Sequence, residues 1–254
     1  MEQPSRLCPN RFSNLSSLTS IAITMDTDWA PEYMVRQSLE ILASAKVKAT
    51  IFLTSTYQCV KEYNNGLFEF GIHPNFAANN SKTVETVAAL RAIVPDARGT
   101  RSHNLIQSTP ILTEIARLGF SYDCSHIFFN VPYLSAYCDW NNLVRIPYYW
   151  EDDIHCLYRL PWTMLPFLEA VPGLKIFNFH PVHVYLNTET LDRYEQLKNT
   201  GIPLPQLSAE QVSGYINTGT GTQTLLKELL AETNGRQLVT YQLSEVADAV
   251  RAEY

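Results

Sequence analysis

The sequence predicts an α/β fold built as a single (β/α) barrel of parallel strands, complete or short of a strand. Three observations carry that expectation. Short apolar, β-branched runs alternate with amphipathic stretches along most of the chain, the pattern of repeated βαβ units. The run VKATIFLT (47–54) is apolar without alternation, as a strand buried on both faces is. No Gly-rich turn follows the first strand, which disfavours an open doubly wound sheet, and 254 residues suit a barrel domain of about 250.

Taken in order, residues 1–18 are polar, rich in Ser and Asn, and read as an irregular arm; residues 19–254 read as the barrel, because no repeat, linker or low-complexity tract divides them. Ile21–Thr24 is a strand running into Asp26 and Asp28, and Pro31 opens a helix to Ala45 with Met34, Val35, Leu39, Ile41 and Leu42 near helical spacing. Strands follow at 47–54 and 67–72, a helix at 84–94, a strand at 97–100, and a helix at 110–118 closed by Gly119. Further strands are expected at 120–122, 142–147, 174–179 and 237–241. Helices are expected at 161–171, 223–233 and 244–253, the last capped by Ser244. The stretch 182–208, with Pro203 and Pro205, is long for a connection and reads as a lid or a rigid excursion; 214–224 reads as a flexible loop without a P-loop ending.

Composition narrows the function. The chain is 46% hydrophobic with a net charge of -6, and its basic residues are scattered, which argues against a nucleic-acid partner. No run approaches the roughly 18 apolar residues of a membrane span, and the opening residues lack the apolar core of a signal peptide. Five cysteines, never spaced C-x-x-C, read as reduced thiols of a cytoplasmic protein.

The chemistry collects just past the predicted strands: Asp26 and Asp28, His73, Arg101 and His103, Asp123, Trp150 with Asp152 and Asp153, then His180 and His183. In a parallel barrel these positions share the face where ligands bind. Residues i and i+2 of an extended segment point the same way, so Asp26 and Asp28 are expected side by side. Such a pair repels unless a cation lies between the carboxylates or one is protonated; the alternative is an N-cap aspartate beside a solvated neighbour. His73 and His180 precede proline, which holds the histidine backbone extended. Trp29, Tyr148, Tyr149 and Trp150 either stack on a sugar ring or plug the barrel mouth.

TMDTDWAP (24–31) followed by KATIF (48–52) resembles the first motif of the polysaccharide deacetylases, carbohydrate esterase family 4 with the NodB-homology fold. The DxDWAP form and FHPVHVYLNT (179–188) are similar to a branch associated with bacterial surface-polysaccharide, or O-antigen, biosynthesis. The resemblance runs from Ile21 to at least Thr188. It implies an irregular seven- or eight-stranded (β/α) barrel that hydrolyses N-acetyl groups of amino sugars with a divalent metal, zinc first, with cobalt or nickel compatible with the ligand chemistry. It assigns Asp26 as general base, Arg101 as its orienting partner, His180 as general acid, and Asp152 as a residue that tunes that acid. It assigns Asp28 and His73 to the metal. Trp29, Trp150, Asp153 and His183 are the expected substrate contacts. Two positions depart from the family pattern: Ala77 stands where a second metal histidine is expected, and His103 where a proline is expected after Arg101-Ser102. Either His103, Asn75 or His183 completes the metal shell from another direction, or the site holds metal weakly or not at all.

The function implied is removal of an N-acyl group, acetyl first, from an amino-sugar or nucleotide-sugar intermediate. Two alternatives stand beside it: hydrolysis of another non-peptide C–N bond, such as a cyclic ureide, and a catalytically silent sugar-binding barrel.

Overall fold

In the computed structural model, residues 20–63, 66–77, 82–169 and 173–253 are described, so the arm expected over 1–18 lies outside the described residues. Among the described residues ten strands form one sheet: β1 (Ser20–Asp26), β2 (Ala49–Leu53), β3 (Phe68–Ile72), β4 (Gly99–Thr100), β5 (Tyr122–Asp123), β6 (Tyr137–Cys138), β7 (Val144–Arg145), β8 (Trp150–Glu151), β9 (Ile176–Phe179) and β10 (Val239–Tyr241). The order across the sheet is β6-β7-β5-β4-β3-β2-β1-β9-β8, with β10 also beside β1. All pairs are parallel except β6 with β7.

β7 and β8 lie near opposite ends of that order, yet they belong to one stretch of chain. Its start pairs with β5 and its end with β9. Between them Tyr148 N donates to His126 O, Tyr148 bridges Ile127, and Tyr149 N donates to Ile176 O. Residues 144–151 therefore act as one stave joining the two ends. With β1–β5 and β9 they make seven staves among the described residues, the irregular barrel that the sequence predicts. Pro147, which has no N–H to offer a ladder, falls where this stave is broken.

The helices are α1 (Glu32–Ser44), α2 (Thr83–Ile93), α3 (Thr109–Arg117), α4 (Asp152–Leu157), α5 (Pro181–Leu186), α6 (Leu191–Lys198), α7 (Ala209–Val212), α8 (Thr222–Gly235) and α9 (Leu243–Arg251). Helix α1 buries Met34, Val35, Leu39 and Leu42, while Ile41 is only half-buried. No helix of the described residues is long and apolar enough to cross a membrane.

Three expectations are corrected and one open alternative is decided. The helix expected over 161–171 is absent from its described part, where only a 3₁₀ turn forms at Leu165–Leu168. There Glu228 accepts from Thr163 Oγ1 and Met164 N, tying the chain down from outside, and Pro166 supplies no donor. Helix α9 starts after Gln242, whose N–H donates to Glu245; Ser244 lies inside the helix and its N–H donates to Glu69. Residues 214–224 are not a free loop. Asn187, at φ 49°, accepts from Gln223 N and Thr224 N and so caps α8 from another segment. A Cβ on Gly221 would come within 2.1 Å of Asn187 O, so only glycine permits this approach. Finally, 182–208 is a packed excursion rather than a lid: it holds α5 and α6, and Val184, Leu186, Leu197 and Leu207 are buried.

Gly99 carries a testable consequence. A Cβ there would fall 1.9 Å from the Tyr122 ring, whose hydroxyl donates to Glu69 at 2.9 Å. Gly99→Ala must displace a fully buried aromatic and is expected to destabilise the fold by about 1–3 kcal/mol, read as a lowered urea midpoint; an unchanged midpoint would mean that β4 and β5 can separate freely.

Candidate active site

The carboxyl ends of the staves surround a cavity of about 250 Å³ lined by Asp26, Asp28, His73, His103, Glu151, Asp153 and His180 among others. At its floor, Arg101 is fully buried at the end of β4. Its Nη1 donates to Asp26 Oδ1 at 3.1 Å, to Thr24 Oγ1 at 2.9 Å and to Asn178 Oδ1 at 2.5 Å, and its Nε donates to Cys124 O. Asn178 Nδ2 donates to Asp26 Oδ2 at 2.9 Å. Both Asp26 oxygens are thus held by donors. The guanidinium also lies between the rings of Phe52 and Tyr148, 4.7 and 4.3 Å from their centroids, which adds cation–π attraction.

Asp28 reaches the same cavity by another route than expected. β1 ends at Asp26, and Asp28 and Trp29 adopt positive φ values of 41° and 56°, so the pair does not share an extended face. The turn is pinned to the end of β2 by Thr27 N to Phe52 O and Trp29 N to Thr54 Oγ1. It aims Asp28 Oδ1 at His73 Nε2 (3.0 Å) and His103 Nδ1 (3.2 Å). Burial pushes the Asp28 carboxyl up, but hydrogen bonds from His103 and His73 outweigh it and hold it well below the usual carboxylate range. Burial likewise disfavours the His73 cation, yet Asp26 and Asp28 raise its pKa above the usual histidine value.

One donor atom from each of Asp28, His73 and His103 lies within 4.8 Å of the other two. One carboxylate and two imidazoles are a donor set that a catalytic divalent cation accepts, with positions left over for water and substrate. Ala77 is exposed, and the Asn75 side chain accepts from Ala77 N, whereas His103 faces Asp28 and His73. Of the alternatives open in the sequence, His103 is the one that the fold brings to this carboxylate.

Across the cavity, His180 has the extended backbone that a residue before proline adopts (φ -110°, ψ 128°). The buried Asp152 carboxylate accepts from its N–H at 2.8 Å and contacts its Nδ1 at 2.6 Å. The opposite nitrogen, Nε2, faces three carboxylates: Asp28 at 3.8 Å, Asp26 at 3.9 Å and Glu151 at 4.0 Å. Burial opposes the imidazolium, but Asp152 and Asp153 outweigh it and raise its pKa well above the usual value.

The expected substrate contacts divide. Trp29 is half-buried beside the cavity, edge-on to His103 at 5.0 Å. Asp153 lines the cavity. Trp150 is corrected: it is fully buried against Phe179 and Phe177, so its ring is closed to a sugar, and Tyr148 and Tyr149 are buried as well. His183 is buried too, between Thr188 and Asp153, and is not exposed to substrate. Asp123 pairs with Arg145 at 3.2 Å and does not line the cavity.

Two residues escape a reading by strand ends. Glu151 lines the cavity, accepts from Tyr148 Oη and Asn178 Nδ2, and is pushed by burial up to about 7. Asn178 links Asp26, Arg101, Thr24 and Glu151. The available signal was an amide between the phenylalanines of a strand otherwise apolar, IFNF.

A barrel that gathers paired carboxylates, imidazoles and a buried arginine at one mouth has the build of the carbohydrate deacetylases. The WbmS-like polysaccharide deacetylase family matches residues 23–198, and the chain belongs to that family. Among solved structures, it is similar to WbmS of Bordetella bronchiseptica, described as a candidate polysaccharide deacetylase involved in O-antigen biosynthesis. The two are 32% identical, with 84% of this chain and 90% of that one covered and a TM-score of 0.75. A candidate polysaccharide deacetylase from Mycobacterium smegmatis shares the fold at 15% identity (TM-score 0.55; 98% of this chain and 96% of that one covered). So does the peptidoglycan N-acetylglucosamine deacetylase Bc1960, at 13% (TM-score 0.50; 92% and 91%). No curated protein matches the chain significantly.

The metal set is open to direct measurement. Protein purified without added metal and assayed by mass spectrometry is expected to carry a tightly bound divalent ion that Asp28→Ala, His73→Ala and His103→Ala each lose. Full occupancy in His103→Ala would show that the third ligand comes from elsewhere.

Proposed function

We propose that this protein is a metal-dependent hydrolase that removes an N-acyl group, acetyl first, from an amino-sugar intermediate of surface-polysaccharide biosynthesis. The observation that carries the reading is the pairing of Asp26, held by Arg101 and Asn178, with His180, held by Asp152, across one cavity. A silent sugar-binding barrel has no use for a carboxylate and an imidazole oriented in this way. The similarity to WbmS supports the biosynthetic setting.

A divalent cation held by Asp28, His73 and His103 would supply Lewis-acid polarisation of the amide carbonyl and acidify water. The chain's own groups do the rest. Asp26 takes a proton from the attacking water, and Arg101 and Asn178 keep that carboxylate aimed. His180 enters as the imidazolium. Asp152 occupies Nδ1, so the transferable proton sits on Nε2, the atom that faces the cavity. It passes to the amine nitrogen as the C–N bond breaks, leaving a free amino sugar and a carboxylic acid. Four cysteines of the described residues, Cys59, Cys124, Cys138 and Cys156, are free thiols, which supports a reducing, cytoplasmic setting and a nucleotide-linked or lipid-linked substrate.

Release of amine from a panel of N-acetylated nucleotide sugars, run beside small cyclic ureides, tests the substrate class; turnover of the ureides alone would move the reading to other C–N bonds. Asp26→Asn and His180→Ala are each expected to lower kcat by about 10²- to 10⁴-fold in the folded protein, with a lowered melting temperature in Asp26→Asn because it removes the charged partner of the buried Arg101, and near-normal rates in either would remove that residue from the mechanism.

The pH profile gives an independent check. Asp152 favours the imidazolium, so its carboxylate holds the alkaline limb of kcat at high pH. In Asp152→Asn that limb is expected to move toward neutral pH, and a limb that stays in place would dissociate Asp152 from the acid.

A further inference from the structure

The mouth of the barrel contains a second set of ligand atoms, opposite the one already described. A nitrogen from each of His180 and His183 and a carboxylate oxygen of Asp153 lie within 4.8 Å of one another. In both rings Nδ1 is engaged from behind: His180 by Asp152 at 2.6 Å and His183 by Thr188 Oγ1 at 3.0 Å. That leaves both Nε2 atoms facing inward. A ring nitrogen oriented by a buried acceptor on its other side is the outer-shell arrangement of a metal-ligating histidine.

A second observation concerns Asp153. Its Oδ1 is buried and ion-paired with His183 Nε2 at 2.7 Å, and the two atoms are not aligned as a hydrogen bond. Two ligand atoms in contact but out of line with each other can both face a third point, and a cation there would satisfy them. Asp28 stands between the two sets, with Oδ1 toward His73 and His103 and Oδ2 3.8 Å from His180 Nε2. Asp26 and Glu151 add two further carboxyl groups at the same mouth.

We propose that Asp153, His180 and His183 form a second divalent-cation site, across Asp28 from the first, and that filling it inhibits the enzyme by taking the His180 nitrogen that delivers a proton. The donor set of two imidazoles and a carboxylate suits zinc, cobalt or nickel. The inhibitory consequence rests on His180 being the general acid; the binding site does not. The Asp153 side chain is 46% exposed against 21% for Asp28, so this set is less enclosed and is the weaker site.

The test is a zinc titration of metal-free full-length protein by calorimetry, with cobalt spectra as a second readout, on wild type, His183→Ala and Asp153→Asn. Asp153 has a side chain 46% exposed, so its variant keeps the test informative should His183→Ala fail to fold. Two sites are expected in wild type, with the weaker one reduced more than about tenfold in each folded variant and the tighter one retained. A single site in wild type, or a second site unchanged in both variants, would overturn the proposal. In the activity assay, excess zinc is expected to inhibit wild type and to inhibit Asp153→Asn less. Activity that rises with the second equivalent would overturn the inhibitory assignment, and with it the reading of His180 as acid, while a second equivalent in the calorimetry would stand.

Discussion

A guanidinium with no access to water lies at the centre of this barrel, and its charge must be met from every side. Removing such an ion from water costs several kcal/mol even after relaxation, and only close, well-aligned acceptors offset it. Arg101, which follows β4, obtains them from three other staves: Thr24 and Asp26 on β1, Asn178 on β9, and the Cys124 carbonyl just past β5. Phe52 on β2 and Tyr148 on the closing stave cover its faces. Closing the sheet and building the floor of the site are therefore one event: β1, β2, β5, β9 and the closing stave all bring contacts, and the charge is solvated only when these are in place. The same contacts fix the Asp26 carboxylate in place, so the packing of the core and the orientation of the proposed base cannot be separated.

Above that floor the cavity uses one device repeatedly. Each histidine on the His180 side has Nδ1 committed to a buried oxygen, and Nε2 turned to carboxylates of the cavity lining, Asp28 for His180 and Asp153 for His183. Fixing one nitrogen sets the tautomer and the ring plane, which leaves a single defined function for the opposite atom. On the other side, positive φ values at Asp28 and Trp29, and again at Asn104 and Leu105, place Asp28 and His103 against each other from different loops. Strained backbone at a ligand cavity persists because the hydrogen bonds to Phe52 and Thr54 hold the turn in place. Carboxylates and imidazoles alternate around the mouth, with Asp26, Asp28, Glu151 and Asp153 beside His73, His103 and His180. Such a lining offers ligand atoms to a cation, and the imidazoles between the carboxylates decide where a cation can sit.

The alternation of apolar runs and amphipathic stretches was enough to read the barrel, because a parallel stave buried on both faces leaves a local mark, in apolar content and length, that needs no knowledge of its neighbours. Asp26, Asp28, His73, Arg101 and His180 were legible for a related reason: polar residues directly after such runs stand where a parallel fold opens to ligands. Parity was not legible. β8 runs one residue beyond Trp150, so Trp150 turns to the aromatic core and Glu151 into the cavity; a shift of one residue exchanges the two faces of a strand. Asn178 was hidden inside β9 because its purpose is set by Arg101, 77 residues away in sequence. The turn at Asp28, the choice of His103 over Asn75 and His183, the capping of α8 by Asn187, and the tether from Glu228 that replaces a helix over 161–169 all depend on contacts between distant segments. Periodicity and composition record which residues want to be buried; which partner each polar group meets is settled only when the staves close around the arginine.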